Sequence, residues 1–430
     1  MFWDRESETL ARPALERFQL GQLQETVRRV AQRVPFYQRK FAELGIKPED
    51  IKSLEDARRL PFTASADLFA AYPDGLLAVA ADEPVRLHTS SGTTGKPKAV
   101  FFSRNDINNS AELMARSLVM TGVTHKDVLQ NMMSYGLFTG GLVMHYGAER
   151  VGCLVIPAGP GTSERQLMLM QDFHTTAVHI LPSYALYFAR FLEQRGVNPR
   201  KDLKLRKAFV GAEPHTEETR RRIEEAYGID VYNSYGLTEM NGPGIGFECE
   251  HKAGLHLWED HFLIEIVDPV SGQPLPEGER GELVLTTLRR EAMPLLRYRT
   301  HDITSIIPEP CACGRTHRRL NRIVGRADDM LIVRGVNIFP QQIERILMST
   351  PQVGPNYLIV LEGLDDMAIQ VELASAGFDG QVEHLSGLRH QLAEKFKTEL
   401  YVRPKVELVP AGSLPVTEGK AKRVIDRRSL

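Results

Sequence analysis

The chain has 430 residues with 53 Lys and Arg against 55 Asp and Glu, a net charge of −2, and 42% hydrophobic residues. Such a composition fits a globular chain of two or three domains with a large core, and four cysteines are too few for a disulfide scaffold. It lacks the basic excess of a nucleic-acid binder and any apolar run long enough to span a membrane. The opening Met1-Phe2-Trp3-Asp4-Arg5-Glu6 lacks the basic-then-apolar pattern of a secretory signal, so a cytoplasmic protein is expected, with neither nucleic acid nor membrane as partner.

Taken in chain order, residues 13–45 predict a helical stretch, because Leu20, Leu23, Val27, Val30 and Val34 recur on one face, and Pro35 interrupts it. From residue 85 strands alternate with helices. Strands are expected at 85–89 and 99–102, a helix at 106–120, and a short buried strand at 151–156 containing a core thiol, Cys153. A helix at 163–172, a strand at 177–181, a helix at 183–195, a strand at 205–210 and a helix at 217–227 follow. This order predicts an α/β fold with covered sheets. Between 255 and 307 the pattern changes: segments 262–267 and 282–286 flank Asp268-Pro269-Val270-Ser271-Gly272, which reads as a hairpin in a smaller β subdomain. Past Gly325, the charged joint Arg326-Ala327-Asp328-Asp329 precedes a small α+β unit, with strands near 330–333, 356–361, 368–373 and 405–409 and helices at 340–349 and 381–399. The expected domains are 1–327 and 328–430.

The segment Thr89-Ser90-Ser91-Gly92-Thr93-Thr94-Gly95-Lys96-Pro97-Lys98 combines small residues, whose backbone N–H groups can crowd an anion, with hydroxyl donors and two lysines. A plain polar turn between two strands rarely needs that combination. Nor is it a Walker loop, since two residues separate Gly92 from Gly95 and Pro97 follows Lys96.

This segment resembles the phosphate-binding signature of the adenylate-forming enzymes: acyl-CoA synthetases, adenylation domains and luciferases. Four further signatures follow in order: Tyr235-Gly236-Leu237-Thr238-Glu239, Tyr298-Arg299-Thr300-His301-Asp302, Gly325-Arg326-Ala327-Asp328-Asp329-Met330, and Leu414-Pro415-Val416-Thr417-Glu418-Gly419-Lys420. Ser134 to Gly141, His145 to Arg150, Leu181-Pro182-Ser183-Tyr184, Gly211-Ala212-Glu213-Pro214 and Arg334 to Pro340 are similar to the phenylacetate–CoA ligase family.

The resemblance implies a two-step reaction, in which ATP activates an aryl-acetic acid as acyl-AMP with release of pyrophosphate, and coenzyme A then takes the acyl group. ATP, Mg²⁺ and coenzyme A are the implied partners and cofactors, with a homodimer among the assemblies it allows. It assigns Ser90, Ser91, Gly92, Thr93, Thr94, Gly95 and Lys96 to the β- and γ-phosphates, and Tyr235, Gly236, Ala212, Glu213 and Pro214 to adenine. Thr238 goes to the α-phosphate, Glu239 to Mg²⁺, Asp302 to the ribose hydroxyls and Arg326 to ribose or phosphate. Lys420 bridges carboxylate and α-phosphate, with Lys422 as its alternative; Asp328 is the hinge and Gly335 lines the pantetheine tunnel. The acid would sit among Tyr135, Phe138, Ala212, Tyr235, Gly242 and Pro243, since an aryl group needs flat apolar walls. His301 stands where Gly or Arg is common. A CoA ligase for another aryl or alkyl acid, an adenylylating enzyme that uses no coenzyme A, and a silent nucleotide-binding regulator are the alternatives.

One motif lies outside this scheme. Cys311-Ala312-Cys313-Gly314-Arg315-Thr316-His317 looks like half a metal knuckle, and Cys249, His251 and His256 cluster upstream. Cys249, His256, Cys311 and Cys313 are the expected ligands of a structural Zn²⁺, with His251 or His317 as substitutes.

Overall fold

The structure, a computed structural model, describes residues 1–90, 97–363, 366–374, 382–415 and 421–428. Ser91, Gly92, Thr93, Thr94, Gly95, Lys96 and Lys420 therefore lie outside the described residues. The chain forms two compact units, and the class is α/β as expected. The first unit comprises residues 1–161, 175–179 and 232–323; the second comprises 162–174, 180–231 and 324–430.

The first unit opens on helix Arg12–Arg33, which buries Leu15, Leu23, Val27 and Val30 on the face that their spacing defines. Pro35 both ends this helix and starts the next, Pro35–Leu44: it holds Val34 extended (φ −113°) and supplies a first helical residue that needs no N–H partner. Parallel strands Leu154–Ile156, Val128–Asn131 and the one beginning at Ala177 lie side by side, in that order. The edge strand differs from expectation. Helix Thr139–Val151 runs on until Gly152 (φ 94°), so the strand starts only at Leu154, whose side chain is exposed. Cys153 is buried, as expected, with its Sγ 3.3 Å from the Thr124 carbonyl.

Antiparallel pairs then carry the chain from Asp230–Leu237 to Gly242–Glu248, Leu255–Leu257 and Arg319–Leu320. A second sheet of this unit contains the expected hairpin Phe262–Val267 with Gly281–Thr287, followed by Tyr298–Thr304.

In the second unit, strands Lys405–Val409, Asp366–Leu373, Val353–Gly363 and Val424–Asp426 form one sheet in that order. Its core packs Ile359, Ile369 and Val371 against Ile343, Leu347, Leu392 and Phe396 of helices Pro340–Met348 and Val382–Leu400. The guanidinium of Arg222, on helix Glu217–Tyr227, donates to the carbonyls of Met348 (2.8 Å), Thr350 (2.7 Å) and Val353 (3.0 Å), satisfying groups left open where helix Pro340–Met348 ends.

Candidate active site

In the first unit the candidate residues gather at the turn Thr238–Met240, a single 3₁₀ turn after strand Asp230–Leu237. Asn241 (φ 76°) and Gly242 (φ 91°) then reverse the chain into strand Gly242–Glu248. Asn tolerates the left-handed region, and the Arg290 guanidinium fixes the turn by donating to Asn241 Oδ1 (2.5 Å) and to the Phe101 carbonyl (3.0 Å). Gly236 is required by close approach: a Cβ there would meet the Gly242 carbonyl oxygen at 2.1 Å and Pro243 Cα at 2.4 Å.

Three hydrogen bonds organise the turn. Glu239 is buried and its Oε1 accepts from Lys98 Nζ at 2.6 Å and from the Tyr298 phenol at 3.2 Å. Lys98, one of the two lysines of the phosphate-like segment, is thus committed to Glu239. Tyr235, half-buried, donates from its phenol to Asp302 Oδ2 at 2.5 Å, joining the second motif to the third across 67 positions. His301 occupies a left-handed conformation (φ 63°), and its backbone N–H donates to Glu282 Oε1 at 3.0 Å. That is the strained position where glycine would be at ease.

A buried polar network shapes the segment that carries Tyr135 and Phe138. Asn131 Nδ2 donates to the Tyr135 hydroxyl (2.8 Å) and to the Gly141 carbonyl (2.7 Å), while its Oδ1 faces His179 Nδ1 at 3.0 Å. Burial pushes the Tyr135 phenol up to about 12 and pulls His179 down to about 3, so both are neutral near pH 7. Gly140 and Gly141 admit their neighbours closely: a Cβ on Gly140 would meet the Phe138 ring at 2.5 Å, and one on Gly141 the Ser134 carbonyl at 2.5 Å. Thr139 Oγ1 lies 3.1 Å from Thr238 Oγ1, so the Phe138–Thr139 corner reaches the turn, and a Cβ on Gly242 would meet the Thr139 side chain at 3.0 Å. The Leu137 carbonyl accepts from the Thr89 backbone at 2.9 Å, attaching the same segment to strand Arg86–Ser90.

In the second unit, Ala212 takes a left-handed conformation (φ 65°) just before Glu213, whose carboxylate accepts from the Ser183 backbone (3.1 Å) and hydroxyl (2.9 Å) and from the Ala421 backbone (2.6 Å). A cavity of about 540 Å³ is lined by Glu213, Pro214, Asp328 and Lys422, among others. Arg326 makes a two-pronged pair with Asp328 at 2.8 and 2.7 Å. Gly335 (φ 74°) and Arg334 (φ 52°) form the two-residue turn between strands Leu331–Val333 and Val336–Ile338.

The candidate metal ligands are also brought together. The donor atoms of Cys249, His256, Cys311 and Cys313 lie within 4.8 Å of one another. The hydrogen bond with Cys249, and His256 beside it, hold the Cys313 thiol below the ordinary thiol range, while that bond and burial push Cys249 up. The proposed substitutes are elsewhere. His317 receives the Glu259 N–H on Nδ1 at 2.9 Å, so its Nε2 carries the proton, directed at the Ser7 carbonyl at 3.0 Å; neither nitrogen is left for a metal. His251 is exposed and outside the cluster.

Sequence reasoning missed Lys98 as a partner of Glu239, and also Tyr298, Arg290, Asn131 and His179. Tyr298 and Lys98 stood inside quoted motifs; the others carry no local signal.

Residues 20–288 match the family model of AMP-binding enzymes, and residues 335–428 match that of the AMP-binding enzyme C-terminal domain. The phenylacetate–coenzyme A ligase of Thermus thermophilus is 47% identical over 445 aligned positions, covering all of both chains. That of Escherichia coli K12 is 42% identical over 98% of this chain and 97% of its own. Among solved structures, 2-hydroxyisobutyryl-CoA ligase in its postadenylation state, in complex with R3-HIB-AMP, superimposes with a TM-score of 0.93 at 31% identity, over 99% of this chain and 92% of that one. The chain therefore belongs to the AMP-binding enzymes of the adenylate-forming superfamily, and within them to the phenylacetate–CoA ligase family.

Proposed function

We propose that this enzyme activates phenylacetate, or a close aryl-acetic acid, with ATP and transfers the acyl group to coenzyme A. The observation that carries the reading is end-to-end similarity, at 42–47% identity, to phenylacetate–coenzyme A ligases. In the first half-reaction a carboxylate oxygen attacks the α-phosphorus, giving phenylacetyl-AMP and pyrophosphate. In the second the thiolate of coenzyme A attacks the acyl carbon and AMP leaves. Both steps depend on positioning and on stabilising displaced charge.

The residues suit these tasks. The Tyr235 ring offers adenine a face while its phenol steadies Asp302, whose carboxylate accepts from the ribose hydroxyls. The Thr238 hydroxyl donates toward the α-phosphate. Glu239 is a hard oxygen ligand for Mg²⁺, which when bound neutralises phosphate charge; Lys98 holds that carboxylate ready. Arg326 must leave Asp328 to reach ribose or phosphate, which links ligand binding to the proposed hinge between domains 1–327 and 328–430. Lys420, or Lys422, supplies the charge between carboxylate and α-phosphate, and Gly335 keeps a narrow passage open for pantetheine. Tyr135, Phe138, Gly242 and Pro243 offer walls for the aryl group, with Ala212 as a further lining residue. The same reading includes a structural Zn²⁺ at the cysteine–histidine cluster, a cytoplasmic setting and a homodimer.

The structural match to 2-hydroxyisobutyryl-CoA ligase favours one competing substrate class, short branched hydroxy acids. Pyrophosphate release across a panel of acids, with and without coenzyme A, decides between them. Phenylacetate giving the highest kcat/KM supports the proposal; 2-hydroxyisobutyrate or a C6–C10 fatty acid giving it rejects the proposal.

A further inference from the structure

The cysteine–histidine cluster shares no residue with those given a role in the reaction, and its geometry is specific. Two thiolates at ~2.3 Å from a tetrahedral zinc ion stand about 3.8 Å apart, and a thiolate and an imidazole nitrogen about 3.6 Å apart. Here Cys249 Sγ and Cys311 Sγ are 3.7 Å apart, and Cys313 Sγ lies 3.4 Å from His256 Nε2. All four cysteines of the described chain are free thiols, so the pair at 3.7 Å is no disulfide.

Strand pairing explains why the four meet. Cys249 follows directly on strand Gly242–Glu248, whose Phe247 pairs with His256 of the next strand. His256 pairs in turn with Arg319, and the cysteine loop immediately precedes that strand. Gly314 (φ 81°) closes the loop, its N–H donating to the Cys311 carbonyl at 3.1 Å. One ligand, His256, thus lies within the sheet, Cys249 sits directly at the end of a sheet strand, and two come from a loop that has no regular structure of its own.

That loop does more than reach the cluster. Its outer half grips the first dozen residues of the chain. The Arg315 Nε donates to Glu8 Oε2 at 2.7 Å, the Thr316 hydroxyl to the Leu10 carbonyl at 2.8 Å, and His317 to the Ser7 carbonyl. The Arg12 guanidinium spans Glu259 at 2.9 and 2.8 Å and also donates to the Thr316 carbonyl at 3.0 Å.

We infer that Cys249, His256, Cys311 and Cys313 bind one zinc ion in a closed tetrahedral site, and that this ion shapes the 311–317 loop so that it fastens residues 1–12 to the first unit. The site is structural because four protein donors fill a tetrahedral ion's coordination and leave no position for substrate. Soft thiolates with one imidazole select zinc over Mg²⁺, which takes oxygen ligands.

The test uses the full chain purified without a histidine tag, under reducing conditions. Elemental analysis should find one zinc per chain, and Cys311→Ser and Cys313→Ser should lose it. Removing the metal from the unmodified chain with a chelator should lower Tm by at least about 3 °C and expose cleavage sites within residues 1–12 to limited proteolysis; added zinc should restore both. KM for ATP should stay within about twofold. The chelator arm stands even if a cysteine variant fails to fold. Purified chain without zinc, and with a Tm indifferent to chelator and to added zinc, overturns the site. Stoichiometric zinc whose removal leaves residues 1–12 as resistant as before overturns the fastening role.

Discussion

The phenol of Tyr235 donates to Asp302 Oδ2 at 2.5 Å, so one side chain that can face a base also orients the carboxylate proposed for the sugar. Tyr235→Phe keeps the ring and removes this donor. It should raise KM for ATP a few-fold with little change in kcat. Asp302→Asn loses a charged acceptor, and hydrogen bonds to charged groups are worth about 1.5–3 kcal/mol. It should therefore raise KM for ATP roughly 10- to 100-fold. Steady-state kinetics at saturating acid and coenzyme A check both; an unaltered KM in Asp302→Asn removes Asp302 from the nucleotide site.

Lys98 and Glu239 form a nearly buried ion pair at 2.6 Å, and deleting one partner strands the other's charge. Lys98→Met should lower stability by about 3 kcal/mol, and millimolar Mg²⁺ should recover part of it if Glu239 is the metal's ligand. Glu239→Gln should shift the Mg²⁺ dependence of pyrophosphate release to higher concentration. Calorimetric scans with and without Mg²⁺ read the first effect. A Lys98→Met protein indifferent to Mg²⁺ contradicts the assignment.

Much of this arrangement was legible in the sequence, for definable reasons. Helices Ser163–Asp172 and Glu217–Tyr227 begin after threonines whose hydroxyls cap them, and the second ends at Gly228 in the left-handed region. In the second, period, cap and stop agree, so both of its boundaries can be read directly, while the first has period and cap but ends at Phe173 without a glycine stop. Segment 151–156 misled because an apolar run does not reveal how far the preceding helix continues or which strand lies at an edge. The pairs Lys98–Glu239 and Arg290–Asn241 span 141 and 49 positions, and no local pattern encodes them. His317 looked like a spare ligand by spacing alone; its tautomer is set by Glu259 and Ser7, which only the folded chain brings near.

Glu259 gives a pH signature. Burial opposes its ionisation, yet the Arg12 hydrogen bonds and the charge of Arg318 prevail and hold its carboxyl at about 2, below the ordinary 4.5. Because the folded-state value is the lower one, the stabilisation is complete above about pH 4.5 and is lost as pH falls toward 2. Its size is on the order of 3 kcal/mol. Tm should fall between pH 5 and pH 3, and Glu259→Gln should flatten that fall while lowering Tm at pH 7. An unchanged acid slope in the variant shows that other carboxylates dominate.

The two lysine candidates can be told apart by half-reaction. Lys420→Ala should cut adenylation by roughly 10²–10³, the usual loss of one preorganised charge-stabilising donor. It should leave the conversion of pre-made phenylacetyl-AMP and coenzyme A to thioester nearly intact. Lys422→Ala should affect neither half strongly. The reverse pattern moves the role to Lys422, and equal loss in both halves in Lys420→Ala removes the positional argument.

In the proposed reaction an aryl-acetic acid is activated by ATP and delivered to coenzyme A. Its most direct measurement is pyrophosphate release with phenylacetate, paired with mass detection of the acyl product. Pyrophosphate should appear with phenylacetate, slow to a stop near one turnover without coenzyme A, and run on with it as phenylacetyl-CoA accumulates. Sustained turnover without coenzyme A, or no pyrophosphate from phenylacetate where another acid class reacts readily, contradicts it.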